Sequence, residues 1–401
     1  MRILVISDKI FTRGLGDGLR VYGLLKPLVG RYRFDLICFA RPQERLEPEL
    51  RDLFDEVSFV PAPPAERSSL SQRLVNAFSA RNFKPTSQAM QVAIAARLAT
   101  GRYDVVLDVA GNASPNLPVG PSRVPIVVDA IDEPLLREFR ALKSSRWAER
   151  GGHLISAWRF WLYEKNVLYR AASIVYAADL DANMYTRFFP GRSVAVVPNG
   201  VDTDYFRPMA APSEQPTVAF EGNMNFPPNI DTAKRLVNDV LPLILKKVSD
   251  VKVVLVGRDP SPEVTRLASD RVQVTGTVDD VRPYLAHSTV FACPMRLGSG
   301  IKNKILQAWA MALPVVATSE SLGGLSAQDG VNLLVRDSLE QFASGVAELI
   351  LDPQRAATIG AAGRSTAERQ YSWQHQAAQL EALLRTVVRG HSLADGLPVA
   401  E

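Results

Sequence analysis

A single hydrophobic core stops growing near ~250–300 residues, so a chain of 401 residues is expected to form two domains. Hydrophobic residues at 47% and charged residues at 22% describe an ordinary folded protein and exclude a disordered one. The net charge of +4 suits phosphate-bearing ligands or an anionic membrane face and gives no indication of nucleic acid. Two cysteines, Cys38 and Cys293, each in an apolar run, cannot build a disulfide framework or a Cys-rich metal site, and they read as packed thiols of a reducing compartment.

The chain opens on a strand that runs into a polar loop, unlike a secretory leader. No apolar run reaches about 18 residues, so the cytoplasm is the expected location and no membrane-spanning helix is expected. Strands are predicted at residues 3–7, 35–39, 57–60, 105–109, 126–130, 173–177 and 194–197, several of them apolar nearly throughout, as parallel strands covered on both faces are. The scheme repeats at residues 218–221, 253–257, 272–275, 290–292 and 315–317, with helical stretches such as 230–248 and 302–311 between. Alternating strands and helices in both halves predict an α/β protein of two doubly wound Rossmann-like domains. The Pro-rich stretch 204–216 reads as the linker, giving domains at residues 1–205 and 206–373, a last helix within 374–390 and a frayed tail at 391–401.

Ligands of such sheets bind beyond the carboxyl ends of the strands, so the loops there are where chemistry is sought. After the first strand, Asp8 leads into a loop with Gly14, Gly16 and Gly18, whose spacing is not the dinucleotide fingerprint GxGxxG. Asp129 and Asp132 stand at or just past a strand end, where they would bind hydroxyls of a ligand, or where Asp132 would cap a helix. From Arg137 to Arg170, eight basic residues against three acidic ones give a local charge of +5, and Trp158, Arg159 and Trp161 lie within it. Aromatics beside basic groups suit an anionic membrane interface, and equally a core helix with buried tryptophans. The four histidines show no ligand spacing, so no metal is expected.

The most informative segment is PMRLGSGIKNKILQAWAMALPVVAT, from Pro294. A strand, a Gly-Ser-Gly loop (Gly298, Ser299, Gly300), a helix from about Ile301 and a second strand follow one another. Glycines admit a ligand close to the backbone, and free N–H groups at a helix start attract anions. Lys302 and Lys304 in the first turn oppose the helix dipole, a conflict that a bound diphosphate removes. Asn303 and Gln307 share one face, while Ile301, Ile305, Ala308 and Ala312 form the buried stripe.

This segment resembles the donor-site signature of the family 4 retaining glycosyltransferases, in which a helix reading Lys-Ile-Leu-Glu-Ala precedes a Pro-Val-Val-Ala-Thr strand. Here it stands as Lys304-Ile305-Leu306-Gln307-Ala308 and Pro314-Val315-Val316-Ala317-Thr318. Val197-Pro198-Asn199-Gly200-Val201-Asp202, Phe220-Glu221-Gly222-Asn223-Met224, Gly276-Thr277-Val278-Asp279-Asp280 and Ser321-Leu322-Gly323-Gly324-Leu325 match further landmarks in the family's order, and the resemblance covers residues 1–388. It implies the GT-B fold, a nucleotide-diphosphate sugar as co-substrate with no metal cofactor, and a glycan or lipid-linked glycan as acceptor, on the inner face of the membrane. By the same resemblance Lys304 and Lys302 hold the phosphates, and Gly16 approaches the reacting sugar. Gly298, Ser299, Gly300, Ile301, Gln307, Gly222, Asn223, Thr277 and Val278 line the donor site, and Asp129 and Asp132 lie on the acceptor side. The sequence departs from the family at three places: its two glutamates, eight positions apart, are Ser299 and Gln307, and the basic residue that often follows Gly222 is Asn223. Two rival expectations are a binding subunit that kept the fold without the glutamates, and a sugar-nucleotide epimerase.

Overall fold

The computed structural model describes residues 1–12, 16–63, 84–118, 123–144, 147–209, 215–297 and 300–394. The chain divides into two compact units, residues 1–198 with 376–401 and residues 199–375. The first unit holds a seven-stranded sheet of β1 (Arg2–Ser7), β2 (Arg33–Ala40), β3 (Glu56–Pro61), β4 (Val105–Val109), β5 (Ile126–Ile131), β6 (Ser173–Tyr176) and β7 (Val194–Val196). Its order is β3-β2-β1-β4-β5-β6-β7, and every pairing is parallel. The longer helices of this unit are α1 (Gly16–Leu25), α2 (Gln88–Ala99), α3 (Pro134–Ser144), α4 (Trp147–Asn166) and α5 (Asp179–Phe188).

The second unit repeats the plan with β8 (Thr217–Glu221), β9 (Lys252–Val256), β10 (Val272–Val274), β11 (Val290–Cys293), β12 (Val315–Ala317) and β13 (Leu334–Val335), in the order β10-β9-β8-β11-β12-β13. Its longer helices are α6 (Pro227–Arg235), α7 (Asn303–Ala310), α8 (Leu339–Leu351) and α9 (Pro353–Gln370). A final helix, α10 (Trp373–Ala394), carries the chain back into the first unit. There Glu381 accepts from Tyr32 Oη at 2.6 Å and pairs with Arg31 at 2.9 Å.

Each predicted strand is present, with ends shifted by a residue or two. The helix expected at residues 230–248 runs through Pro227–Arg235, a π-helical turn at Leu236–Val240 and a further turn at Leu241–Leu245. Pro242 has no N–H and would press on the carbonyl four residues back, which a widened turn relieves. The units divide at residues 198 and 199, ahead of the expected linker. Val201 is already tied into the second unit, its N–H donating to Tyr371 O at 2.7 Å while Trp373 N–H donates to Val201 O at 3.3 Å. The second core centres on Trp309, fully buried against Gly363 of α9, where an added Cβ would stand 2.5 Å from the indole.

Candidate functional site

In the second unit the strand order reverses between β8 and β11, and the segments leaving those two strands meet. This is the topological switch point, the usual ligand crevice of an open α/β sheet. Gly222 leaves β8 at φ 153° and Gly257 leaves β9 at φ 145°, and a Cβ on Gly257 would fall 1.8 Å from Gly222 O. Only glycine fits where two backbones approach this closely.

From β11 the chain passes through Gly300 and Ile301 to α7. The helix starts at Asn303, two residues later than expected, with Lys302 at its N-cap position, and it ends at Ala310. Ala312, expected in the buried stripe of that helix, lies beyond its end at φ 56°. Ile301 and Ile305 are buried in the core, as the stripe requires.

Lys302 and Lys304 are both buried, an arrangement lysine adopts only with partners. Lys302 Nζ donates to Gly300 O at 2.8 Å. Lys304 Nζ donates to Asn229 Oδ1 at 2.7 Å and sits 4.5 Å from the centre of the Phe220 ring. A Cβ on Gly222 would lie 2.9 Å from that ammonium, so the cation stands directly over the glycine at the end of β8. Burial lowers the pKa of Lys304, and the nearby Cys293 and Glu221 act against the shift. Burial likewise raises the Glu221 carboxyl, with Lys304 opposing.

The other expected donor-site residues fall around this point unequally. Asn223 Oδ1 accepts from Asn225 N–H at 3.0 Å, and Thr277 Oγ1 accepts from Asp259 N–H at 3.3 Å, so both brace loops at the carboxyl edge. Val278 packs against the core. Gln307 on α7 has its Oε1 buried with no hydrogen-bond partner. Gly298 and Ser299, like Gly14, lie outside the described residues. Sequence reasoning missed Asn229, whose one signal was its place at the third helical position after Pro227-Pro228. It also missed Asn199, which donates to Asn303 Oδ1 at 3.3 Å.

The first unit has its own carboxyl-edge cavity, about 40 Å³, lined by Lys84, Asn112, Asp132 and Glu164 among others. Ala110 and Ile131, at the ends of β4 and β5, hold φ of 63° and 68°, strained values for side-chain-bearing residues. Asp8 lies close to Asn112 and Lys84, and its Oδ1 is buried without a partner. Behind them Asp108 is fully buried, bonded to Ser114, and pushed up to about 7 by burial. Glu133 and Glu164 are buried carboxyls close enough to act on each other electrostatically. Burial raises both carboxyls, and the Glu133 charge raises Glu164 further.

Two expectations change here. Asp129 does not face open space: it is buried and takes the Arg20 guanidinium in a bidentate pair, with contacts of 2.8–3.1 Å. The capping role offered to Asp132 belongs to Glu133, which accepts from Leu136 N–H at the start of α3, while Asp132 lines the cavity. Gly16 begins α1 in the open, and the glycine that packing requires is Gly18, where a Cβ would meet Thr12 O at 2.1 Å.

On α4, Trp158 is 48% exposed and stacks on the partly buried Trp161 at 5.2 Å. Trp147 is 85% exposed with Arg150 over its ring, and Leu154 and Ile155 are exposed beside it. The buried-core expectation fits Trp161 alone, since Trp147 and Trp158 face solvent.

Residues 215–352 match the sequence profile of the family described as Glycosyl transferases group 1. Over this stretch, about a third of its length, the chain is similar to the group 1 glycosyltransferases. It is 32% identical over 222 residues to the GDP-mannose-dependent alpha-(1-6)-phosphatidylinositol monomannoside mannosyltransferase of Mycobacterium tuberculosis H37Rv, a match covering 49% of this chain and 57% of that protein. Among solved structures, sucrose-phosphate synthase from Thermosynechococcus elongatus superposes with a TM-score of 0.68 at 17% identity, covering 97% of this chain and 99% of that one. HepE of Anabaena, solved with UDP, superposes at 0.67 and 16% identity, covering 96% and 100%. The fold of this chain is therefore the GT-B type.

Proposed function

We propose that this chain is a group 1 glycosyltransferase, a retaining hexosyltransferase that moves a sugar from a nucleoside-diphosphate donor to a glycan or lipid-linked glycan. The observation that carries the reading is the buried ammonium of Lys304, held over Gly222 where β8 and β11 diverge. In the transfer the bond from the anomeric carbon to the diphosphate breaks, a bond to an acceptor hydroxyl forms, and the leaving diphosphate takes up charge and the hydroxyl proton. A preorganised cation and helix N–H groups stabilise that charge more strongly than water does. Lys304, Lys302 and the backbone around Gly298, Ser299, Gly300 and Ile301 would hold the diphosphate. Gln307 would meet donor hydroxyls, and Asn223, Thr277 and Val278 would frame the nucleoside. The named mannosyltransferase relative uses GDP-mannose, and HepE was solved with UDP, so both nucleotides belong in the donor screen.

On the acceptor side the first unit offers Asp8, Lys84, Asn112 and Asp132 around their cavity, with Gly16 as exposed backbone. A lipid-linked acceptor explains a basic, aromatic face on α4 that rests on anionic lipid at the inner face of the membrane. Gln307 and Ser299 in place of the family glutamates favour a second reading, a binding subunit without turnover.

The test is a calorimetric titration with UDP and GDP, followed by assay of the donor sugars that bind. Lys304→Ala should weaken nucleoside diphosphate binding about tenfold or more, as loss of a charged hydrogen bond of about 1.5–3 kcal/mol implies. EDTA should leave turnover unchanged. Unaltered binding in Lys304→Ala removes the lysine from the site, and binding without transfer to any acceptor supports the subunit reading.

A further inference from the structure

Lys304 has three N–H donors, and among the described residues Asn229 Oδ1 is the hydrogen-bond acceptor that reaches it. Asn229 is buried and does two things at once, since its Nδ2 also donates to Asn223 O at 2.8 Å. That second bond fixes the amide. Flipped, the amide would set Nδ2 against the ammonium and Oδ1 against a carbonyl, two repulsive contacts.

The surrounding chain gives the amide little freedom. Asn229 N–H donates to Phe226 O at 2.9 Å, Phe226 N–H to Asn223 O at 3.2 Å, and Met224 N–H to Arg258 O at 2.9 Å. Pro227 and Pro228 open α6 with preset φ, which suits the first helical positions. A Cβ on Gly222 would lie 2.7 Å from Asn229 Nδ2 as well as 2.9 Å from Lys304 Nζ. The glycine therefore clears the space in which amide and ammonium meet.

We propose that Asn229 is a positioning residue, whose side-chain amide holds the Lys304 ammonium over Gly222 with its remaining N–H bonds aimed at the donor diphosphate. This rests on the donor-site reading above. It also accounts for Asn223, which stands where relatives often place a basic residue: here the cation reaches the same glycine from α7, and the loop after β8 supplies its holder.

Asn229 is neutral, so it orients the ammonium without cancelling its charge. The ionisable groups that face Lys304 are Glu221 at the end of β8 and Cys293 at the end of β11, with Lys302 on its own loop acting on Cys293. Burial already disfavours the charged lysine, and loss of the amide acceptor disfavours it further.

The experiment is calorimetric titration of UDP and GDP into wild type, Asn229→Ala, Asn229→Asp and Lys304→Ala between pH 7 and 10.5, with thermal melts as folding controls. Asn229→Ala should bind about tenfold more weakly at pH 7, and the pH at which binding is lost on the alkaline side should move down. Asn229→Asp, close in volume, should move that limb up because a carboxylate holds the lysine charged, while competing for it and weakening binding at pH 7. A merely structural asparagine would not shift the limb in opposite directions. Unmoved limbs in both variants, or wild-type affinity in Asn229→Ala while Lys304→Ala loses binding, overturn the proposal and leave the donor site standing. Failure of wild type to bind either nucleotide removes the donor-site reading and this proposal with it.

Discussion

Replacing Gln307 with methionine tests whether the second unit carries a cost for its ligand. Gln307 Oε1 is buried with no hydrogen-bond partner, and an unsatisfied buried acceptor costs about 1–3 kcal/mol. Methionine keeps the unbranched shape and removes the acceptor, so the unliganded protein should gain up to about that amount. For a unit spanning residues 199–375, each kcal/mol moves the melting temperature by about 2–4 °C, and scanning calorimetry resolves a rise of that size. In the proposed donor site the same change would delete a hydrogen bond to the donor, worth about 0.5–1.5 kcal/mol when neutral, so donor affinity should fall roughly two- to twelvefold. Gln307→Glu should move affinity the other way, since a charged acceptor contributes about 1.5–3 kcal/mol. A Gln307→Met protein that melts lower and binds UDP and GDP as tightly as wild type would refute the reasoning, and Gln307 would then be an ordinary helix residue.

Stability should fall as pH rises from about 4 through about 7. Asp108 (about 7), Asp181 (about 6), Glu133 and Glu164 keep protons in the native state that the unfolded chain has released, each contributing a slope of up to about 1.4 kcal/mol per pH unit. Glu164→Gln removes one of these titrating groups and should flatten the slope, which denaturant titrations at pH 5, 6 and 7 would show. Arg20→Met strands the buried Asp129 carboxylate and should cost about 3–5 kcal/mol in the same titrations, whereas Arg20→Met with Asp129→Leu should recover most of it. Purified protein should co-sediment with anionic vesicles less strongly as salt rises, and Trp147→Ser with Trp158→Ser should weaken that binding without lowering the melting temperature.

The strands were legible because a parallel strand covered on both faces is apolar nearly throughout, as Val105–Val109 and Val315–Ala317 are to the residue. The two-residue β13 offers no such run and was missed. Helix limits were harder: Ile301 is buried as its place in the stripe demanded, yet it precedes the helix, because burial reports a face and not a backbone conformation. In the candidate site the lysines could be read from their conflict with the helix dipole. Asn229 could not, since its partner Lys304 is 75 residues away in sequence and no local pattern links them. The Arg20–Asp129 pair, 109 residues apart, was hidden for the same reason, and Asp129 was read as a ligand contact instead. Glu133 and Glu164 look like surface charges in sequence, and only the fold brings them together.

The backbone bonds between Val201 and the stretch Tyr371–Trp373 also bear on how the gene can change. Residues 199–375 enter and leave through a single stapled point, so this stretch is a cassette set within one continuous host. Another donor-type cassette closed at the same two ends could replace it without rerouting the host chain. Recombination at residues 198 and 376 would then exchange the proposed donor-side residues in one event, while Asp8, Lys84, Asn112 and the exposed tryptophans stay with the host.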